Sequence, residues 1–385
     1  MSETTLETET APVTAGPDDA RRRRPWRLVA GAVAVVLVLL LPILLDSFWV
    51  QTGLFAMAAA VGAIGLTLLV GRAGQLSLGH SFFGALGAYT YAVLAGEPGG
   101  PAGIGLGLPP LFALVGAGVL PALAGLLFSP ISGRLRGIYL GLATIGLVFL
   151  AQHVLLNAED VPGGYNGRVV EDLSVAGFHF ASTQPDDLTL FGYVIDGLRR
   201  LWYAFVVVLG LAWWTALGIV RGRTGRAFVM VRDDETAAAA MGIDVVRTKA
   251  TAFVLSSTYA GVGGALTALA FGRVAPDVFD LQSSIDFLVM IVIGGLGSVG
   301  GAVAGAVFVV ALPLVLAQYS DVLPFLASPG SPGYDAATVS HLAYGAAIVV
   351  VLLFVRGGLA GALGSLRSAR RPPPDPDPHP TTQPS

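Results

Sequence analysis

Long runs of apolar residues constrain this chain more than any other feature of its sequence. Hydrophobic residues make up 54% of its 385 residues and only 12% are charged, whereas soluble globular domains carry about 25% charged residues. A run of about 18 or more apolar residues crosses the hydrocarbon core as a helix, because a helix satisfies its own backbone hydrogen bonds. The sequence therefore predicts an all-α, polytopic membrane protein.

Ten runs have this pattern. The predicted spans are residues 28–45, 50–70, 75–95, 108–128, 137–156, 201–220, 251–271, 284–297, 299–318 and 338–355. The eighth run is short, and the Gly-rich sequence GGLGSVGG beside it is also compatible with a re-entrant turn, which would leave nine spans. Lys and Arg favour cytoplasmic loops. With ten spans and both termini inside, all but four of the 22 basic residues are cytoplasmic. We therefore expect about ten transmembrane helices.

The segments outside these spans differ in composition. The acidic, Thr-rich residues 1–27 and the Pro-rich residues 357–385 are expected to form disordered cytoplasmic tails. Residues 28–356 form the predicted transmembrane domain. Its extracytoplasmic loop, residues 157–200, has strand-like stretches that predict a short hairpin, and its cytoplasmic loop, residues 221–250, is polar and charged.

Several classes of function are disfavoured by what the sequence lacks. There is no cysteine, which excludes disulfides and thiolate metal sites, and a net charge of −3 indicates no nucleic-acid partner. A P-loop requires GxxxxGK followed by Ser or Thr, yet the single lysine, Lys249, is followed by Ala250. The acidic residues lie almost entirely in loops and tails, so no intramembrane proton relay is evident. We predict no enzyme, metal site or cofactor in this chain, and a transport cycle driven by another chain.

Two Gly-rich segments interrupt apolar runs, at residues 71–89 and 294–306. For a single glycine, one interpretation is close packing, because small residues let membrane helices approach each other. The other is a transport pathway, since Gly-broken helices in corresponding halves of a chain indicate inverted repeats around a midplane site. We keep the inverted repeat as a hypothesis. The candidate pathway glycines are Gly294, Gly295 and Gly297.

Polar residues inside two of the predicted spans are further candidates for the pathway. They are Gln75, Ser77, His80, Tyr139 and Thr144. Polar groups in hydrocarbon need partners, so these side chains are expected to face the bundle interior or a watery cavity. The alternatives are structural: a hydroxyl that bonds to its own helix, an imidazole that joins helices, or an aromatic ring at the membrane interface. Asp286, at the start of the eighth span, is interpreted as a carboxylate that caps its helix.

Residues 225–253 form the one long polar stretch between hydrophobic segments. Arg232, Asp233, Asp234 and Glu235 precede the sequence TAAAAMG, which ends at Gly242. Acidic residues in a first turn, alanines through the middle and a final glycine match the start and stop signals of a short helix. One interpretation is a helix that lies along the membrane surface and docks in the groove of a partner. The other is a solvated loop that joins two spans.

Six stretches form an ordered pattern along the chain. They are GQLSLGHSFFGALGAY (74–89), LRGIYLGLATIGL (135–147), GRAFVMVRDDETAAAAMGI (225–243), KATAFVLSSTYAGVGGAL (249–266), VAPDVF (274–279) and SIDFLVMIVIGGLGSVGGAVAGA (284–306). Together they resemble the permease subunits of branched-chain amino-acid ABC importers of the LivM type, whose relatives include urea and amide permeases. The resemblance covers about residues 50–312.

This resemblance implies a subunit of an importer in the bacterial plasma membrane. The expected partners are a second homologous permease, two cytoplasmic ATPases that bind ATP and magnesium, and an extracytoplasmic solute-binding protein. The residues that match the coupling helix of the family are Arg232, Asp233, Glu235, Ala237, Ala238 and Gly242, while Thr236 stands where the general motif has Glu. The expected function is import of branched-chain amino acids or similar small amino compounds by alternating access.

An alternative function is a self-sufficient secondary transporter or channel for a small polar solute. Such a protein would share the hydropathy and the Gly-broken helices, but it would transport without ATPase subunits. It would also be expected to contain a buried ion-coupling carboxylate, which the sequence does not reveal.

Overall fold

The structure is a bundle of α-helices with short strands on one side. A computed structural model describes residues 36–99, 104–135, 137–158, 163–175, 178–180, 188–190, 193–319, 336–354, 358–359 and 361. The predicted N-terminal tail, nearly all of the predicted C-terminal tail and the start of the first predicted span lie outside these residues.

Twelve helices occur in the described part of the chain. They are α1 (described over 36–44), α2 (Ser47–Leu66), α3 (His80–Ala95), α4 (Pro110–Arg134), α5 (Ile138–Asn157), α6 (Gly197–Arg221), α7 (Arg223–Asp233), α8 (Glu235–Ala240), α9 (Val245–Phe271), α10 (Leu281–Gly294), α11 (Val299–Gln318) and α12 (Ala336–Phe354). A π-helical turn, Thr67–Arg72, continues α2. Such turns are rare and are found frequently at functional sites.

Short antiparallel strand pairs lie on the predicted outer side of the bundle. The hairpins are β2 (Leu173–Val175) with β3 (Phe178–Phe180), and β4 (Leu188–Leu190) with β5 (Tyr193–Ile195). They confirm the strand-like patterns of the predicted extracytoplasmic loop. A third pair joins β1 (Arg168–Val169) to β6 (Arg273–Val274), with Arg168 opposite Val274, and so ties this loop to the end of α9.

Six helical segments of the described residues are long and apolar enough to cross a membrane. They are Ser47–Arg72, Pro110–Arg134, Ile138–Asn157, Gly197–Arg221, Val245–Phe271 and Val299–Gln318. Leu281–Gly294 and Thr338–Val351 are shorter apolar helices. The all-α, polytopic membrane class is confirmed, and the count of about ten spans stays a prediction.

Two predicted spans differ from the observed elements at the Gly-rich segments. The predicted span 75–95 contains an irregular stretch over 74–79, and helix α3 begins only at His80. The predicted span 284–297 is the short helix α10, which ends at Gly294 before an irregular turn. The hydropathy pattern misses both breaks because glycine and small residues keep a segment apolar on average while its backbone leaves the helix.

The centre of the bundle is formed by α2 and α9, which pack against each other and against α3, α4 and α11. Small residues bring the backbones together: a Cβ placed on Gly264 of α9 would lie 2.0 Å from the carbonyl oxygen of Gly84 on α3. This contact confirms the close-packing interpretation for these two glycines. Fewer than a third of the residues in the apolar stretches of α4, α5 and α6 are buried, as expected for helices with one side towards lipid or another subunit.

Candidate functional site

Helices α7 and α8 meet at a sharp bend, and we call residues 223–242 the elbow. Asp234 caps α8 by accepting hydrogen bonds from the backbone N–H groups of Thr236 (2.8 Å) and Ala237 (3.1 Å). At the other end Gly242 has a φ of +82°, and the N–H groups of Gly242 and Ile243 donate to the carbonyls of Ala239 and Ala238. This left-handed glycine ending stops the helix. The short helix predicted from the sequence is therefore confirmed.

The predicted coupling residues take different positions on the elbow. Ala237, Asp233 and Gly242 are exposed, while Ala238 is buried beneath α8. Met241 is also exposed, at 64% of its surface. A small, exposed helix face with a flexible methionine beside it is suited to contact with another protein.

A buried ion pair joins α8 to the start of α9. The Lys249 ammonium lies 2.5 Å from a carboxylate oxygen of Glu235, with the lysine side chain 5% exposed and the glutamate side chain 26% exposed. The backbone carbonyl of Lys249 also accepts a hydrogen bond of 3.0 Å from the Gln75 amide. One residue of α9 therefore contacts both the elbow and the irregular stretch before α3.

Arginines connect the elbow to both Gly-rich breaks. Arg232 donates through Nη1 to the carbonyl of Gly71 (3.0 Å) and through Nε and Nη2 to the carboxylate of Asp233. Arg72 donates through Nε to the carbonyl of Gly297 (2.8 Å). The two breaks touch here, because a Cβ on Gly71 would lie 2.3 Å from the backbone nitrogen of Gly297. We call this set of contacts, together with the Glu235–Lys249 pair, the junction.

On the other side of the junction, at the end of the bundle where α10 begins, the helices form a partly open cavity of about 420 Å³. Helices α2, α3, α9, α10, α11 and α12 contribute to its walls, which are mostly apolar. The polar or ionisable side chains along the walls are His80, Ser81, Thr267, Ser283, Asp286, Ser340, His341 and Tyr344. This composition is typical of small-molecule sites, which range over about 300–1,000 Å³.

The first turn of α3 and the facing side of α10 form one wall of the cavity. The hydroxyls of Ser81 and Ser284 lie 2.7 Å apart, and Ser284 Oγ also accepts from the backbone N–H of Ser81 (3.1 Å). The His80 and Phe287 rings pack edge to face with centroids 4.7 Å apart. His80 is 3% exposed. Its Nε2 lies beside the Gly62 backbone and makes no hydrogen bond of normal geometry within the described residues.

Most of the other predicted pathway residues do not line this cavity. Ser77 and Thr144 are buried at the break before α3, where Thr144 Oγ1 accepts from the backbone N–H of Leu78 at 2.9 Å. Gly294 packs on the backbone of Gly301 in α11. Tyr139 is 69% exposed on α5. The structure thus brings Gln75, Ser77, Thr144 and Gly297 to the region of the junction and His80 to the cavity.

The interpretation of Asp286 as a helix cap is wrong. The N-terminal cap of α10 is Asp280, whose side chain accepts from the backbone N–H of Ser283 at 2.7 Å. Helix α10 begins earlier than the apolar run suggests, so Asp286 falls in its second turn and lines the cavity. Among the described residues its hydrogen-bond donor is the amide of Gln282, at 3.1 Å.

Comparison with known proteins places the chain in a family. The family model described as branched-chain amino acid transport system / permease component matches residues 49–355. The chain belongs to this permease family. No solved structure matches it.

Three related permeases illustrate the extent of the similarity. LivM of Escherichia coli K12, named a high-affinity branched-chain amino acid transport system permease protein, is 30% identical over 296 residues, which are 74% of this chain and 68% of LivM. LivH of Salmonella typhimurium LT2 is 27% identical over 69% of this chain and 85% of LivH. BraD of Pseudomonas aeruginosa PAO1 is 25% identical over 69% of this chain and 86% of BraD. The permease fold therefore extends over most of the chain.

Three residues of this permease carry roles that sequence reasoning missed. The sequence shows that Lys249 does not belong to a P-loop, and the structure shows that it pairs with Glu235. The signal for this role is a single lysine at the start of an apolar run, where a charge needs a partner. Asp234, which the sequence places among the acidic residues of a first turn, lies just before α8 and caps it, and Asp ahead of Glu235, Thr236 and a run of alanines is a normal capping signal. Asp286 is the third, and its signal was an acidic residue next to an aromatic one inside an apolar segment.

Proposed function

We propose that this chain is the transmembrane permease subunit of an ATP-driven importer of branched-chain amino acids or closely similar amino compounds. Family membership supports this proposal, because the related permeases carry that substrate class in their names. In this proposal the chain performs no covalent chemistry. ATP and magnesium bind to separate ATPase subunits.

The observation that carries the proposal is the path of α9 from the junction to the cavity. Its second turn contains Lys249, which pairs with Glu235 of the elbow. Its last turns contain Thr267 and Phe271, which line the cavity. A helix of 27 residues is about 40 Å long. One helix therefore extends from the elbow to the cavity.

We infer that the exposed side of α8 is the docking surface for an ATPase. The surface is formed by Thr236, Ala237, Ala240 and Met241, all of which are exposed. The elbow lacks a P-loop of its own, so a chemical energy source must act on it from outside. Threonine at position 236 replaces the glutamate of the general motif with a smaller neutral group, and we expect its contacts to be short and specific to its own ATPase.

The coupling step follows from the contacts at the junction. Movement of α8 by a closing ATPase is transmitted to α9 through the Glu235–Lys249 pair and to the two Gly-rich breaks through Arg232 and Arg72. Movement of α9 then changes the cavity walls. ATPase closure favours one arrangement only if the ATPases bind the two arrangements unequally, as any allosteric effector must.

The proposed assembly contains a second permease, two ATPases and an extracytoplasmic solute-binding protein. The similarity of this chain to both LivM and LivH supports a pair of related permeases. We propose that the assembly lies in the bacterial plasma membrane, with both termini of this chain in the cytoplasm and residues 157–200 facing the binding protein.

Reconstitution tests the proposal. This chain, the second permease and the two ATPases are co-purified and placed in liposomes with ATP inside. Uptake of radiolabelled leucine is then measured with the binding protein added outside. We expect uptake that needs ATP and is lost on charge reversal at Glu235, with Asp46→Lys as a control for a charge change on an exposed carboxylate far from the elbow. Equal leucine uptake by this chain alone, without ATPases, would contradict the proposal.

A secondary transporter is the competing function, and Asp286 is the observation in its favour. A half-buried carboxylate beside a cavity is the feature that ion-coupled transporters require. The same liposomes separate the two functions when a proton or sodium gradient replaces ATP. Gradient-driven uptake by the chain alone identifies a secondary transporter, whereas uptake that responds only to ATP identifies an importer subunit.

A further inference from the structure

The cavity between the helices differs from an ordinary packing defect in the chemistry of its walls. Aromatic and aliphatic side chains such as Phe55, Phe279, Phe287 and Met290 make up most of the surface, and a carboxylate lies among them. Empty cavities in proteins are apolar, whereas a polar group in such a wall needs a partner. The carboxylate therefore gives the cavity a negative charge, which a ligand with a cationic group would complement.

Asp286 is the acidic side chain of this cavity. It is half-buried, and Gln282, a neutral amide, donates to it at 3.1 Å. No ion pair among the described residues includes it, and the basic side chains on the cavity wall are the histidines His80 and His341. An ionised carboxylate in a membrane bundle is costly unless a cation compensates it. A ligand ammonium group would supply this charge.

The first turn of α3 offers the opposite polarity in the same cavity. Gly79 precedes this 16-residue helix and provides no side-chain cap; the backbone N–H of Ser81 donates instead to Ser284 Oγ of α10, and the helix end keeps its partial positive charge. His80 lies in this turn and belongs to the cavity wall; it is 3% exposed, and its Nε2 lies beside the backbone of Gly62 on α2 without a hydrogen bond of normal geometry within the described residues. Helix N-termini favour anionic groups, especially in broken membrane helices.

We propose that this cavity binds the transported amino acid as a zwitterion with an aliphatic side chain. Asp286 accepts hydrogen bonds from the ammonium group, the carboxylate lies towards the positive end of α3, and the aliphatic side chain lies against Phe287 and Met290. This inference rests on the proposed function and deepens it. The permease would then add its own selection to that of a binding protein.

The proposal separates substrate classes that resemble each other in size. Urea and simple amides lack the ammonium group whose hydrogen bonds Asp286 would accept, so they would leave the charge of this half-buried carboxylate uncompensated and would bind more weakly. A basic amino acid would place a second charge against the apolar wall. An α-amino acid with a branched aliphatic side chain satisfies both the charge and the wall.

Binding of leucine to the complete permease–ATPase complex, measured without the binding protein, tests the inference. Radiolabelled leucine is bound to the purified, nucleotide-free complex in a scintillation proximity assay, and unlabelled compounds compete. Isoamylamine has the side chain and the ammonium without the carboxylate, while 4-methylpentanoate has the carboxylate without the ammonium. We expect isoamylamine to compete at least about tenfold better than 4-methylpentanoate, which corresponds to about 1.4 kcal/mol.

Variants of the carboxylate complete the test. Asp286→Asn is expected to lower leucine affinity at least about tenfold and to abolish the preference for the amine, while Asp286→Glu retains the preference because it retains the charge. Asp46→Asn, at an exposed carboxylate outside the cavity, is the matched control and should bind like the unmodified complex. Co-purification of each variant with its ATPases establishes that it is assembled.

Two readouts distinguish failure of this inference from failure of the proposed function. Unchanged leucine binding in Asp286→Asn, or no detectable binding to the unmodified complex at millimolar leucine, overturns the inference even if ATP-driven uptake is normal. Absence of ATP-driven leucine uptake overturns the proposed function, whatever the binding result. Amine-selective binding that depends on Asp286 supports the inference in either case.

Discussion

The junction at the elbow and the cavity beside α10 differ in how their charged side chains are paired. At the junction, Arg232, Glu235 and Lys249 find partners within the chain, at distances of 2.5–3.0 Å. In the cavity wall, Asp286 accepts a hydrogen bond from a neutral amide, that of Gln282. His80 Nε2 has no hydrogen bond of normal geometry among the described residues.

This difference indicates different tasks for the two regions. Charge-assisted bonds between elements favour movement of those elements together, and breaking the Glu235–Lys249 pair would leave the Lys249 ammonium, 5% exposed, poorly solvated. A cavity whose carboxylate is paired only with a neutral amide stays available to a cationic ligand group. The junction therefore suits transmission of movement, and the cavity suits recognition. The predictions below perturb one region while measuring the other.

The largest expected effect comes from the contact between the two Gly-rich breaks. Gly71→Val places side-chain atoms against the backbone of Gly297, which cannot move aside as a side chain can. We expect a loss of about 3 kcal/mol or more in the free energy of unfolding, at the upper end of overpacking costs. Gly146→Val in α5 is the control, since a Cβ there meets nothing within 4 Å. Thermal unfolding followed by size-exclusion chromatography in detergent measures both, and equal stability would show that the breaks do not meet.

The ion pair between the elbow and α9 gives the next largest effect. Lys249→Met and Glu235→Gln should each lower stability and reduce ATP-coupled uptake, and a double-mutant cycle should give a coupling energy of about 1–3 kcal/mol. This value lies below the cost of breaking a fully buried pair because the Glu235 side chain is 26% exposed. Leucine binding at the cavity should stay within about twofold of normal, or about 0.4 kcal/mol. Additive single effects would remove the pair from the coupling path.

A smaller effect is expected at the wall of the cavity. Ser81→Ala and Ser284→Ala remove the hydroxyl contact of 2.7 Å, and the coupling energy should be about 0.6 kcal/mol, the average for hydrogen bonds between membrane helices. Each variant should change leucine affinity more than it changes ATP hydrolysis stimulated by the binding protein. The opposite ranking would assign these serines to transmission.

The smallest effect is expected at Tyr139. Its side chain is 69% exposed on α5 and contributes to neither region, so Tyr139→Ala should change stability by no more than about 0.5 kcal/mol. Uptake and leucine binding should both remain normal. A loss of uptake with intact stability would instead support the pathway role that the sequence suggests for this residue.

Parts of this architecture follow from the sequence because local chemistry determines them. The helix α8 was predictable from its acidic start, its alanines and Gly242, and the helix breaks were indicated by the Gly-rich segments. What was not predictable depends on contacts between distant residues. The Arg72–Gly297 and Gln75–Lys249 bonds join positions 225 and 174 residues apart, and the start of α10, set by Asp280, moved Asp286 from a helix end into the cavity wall.

Crosslinking at the elbow tests the central claim, that an external ATPase docks on α8 and drives this permease. The chain has no native cysteine, so a single Ala237→Cys substitution provides a unique thiol on the exposed face of α8. In a complex that retains ATP-driven uptake, this thiol should crosslink to an ATPase subunit through a short thiol–amine reagent. Tyr165→Cys, exposed on the predicted outer side, should not. Crosslinking of the ATPase to Tyr165→Cys but not to Ala237→Cys would contradict the claim.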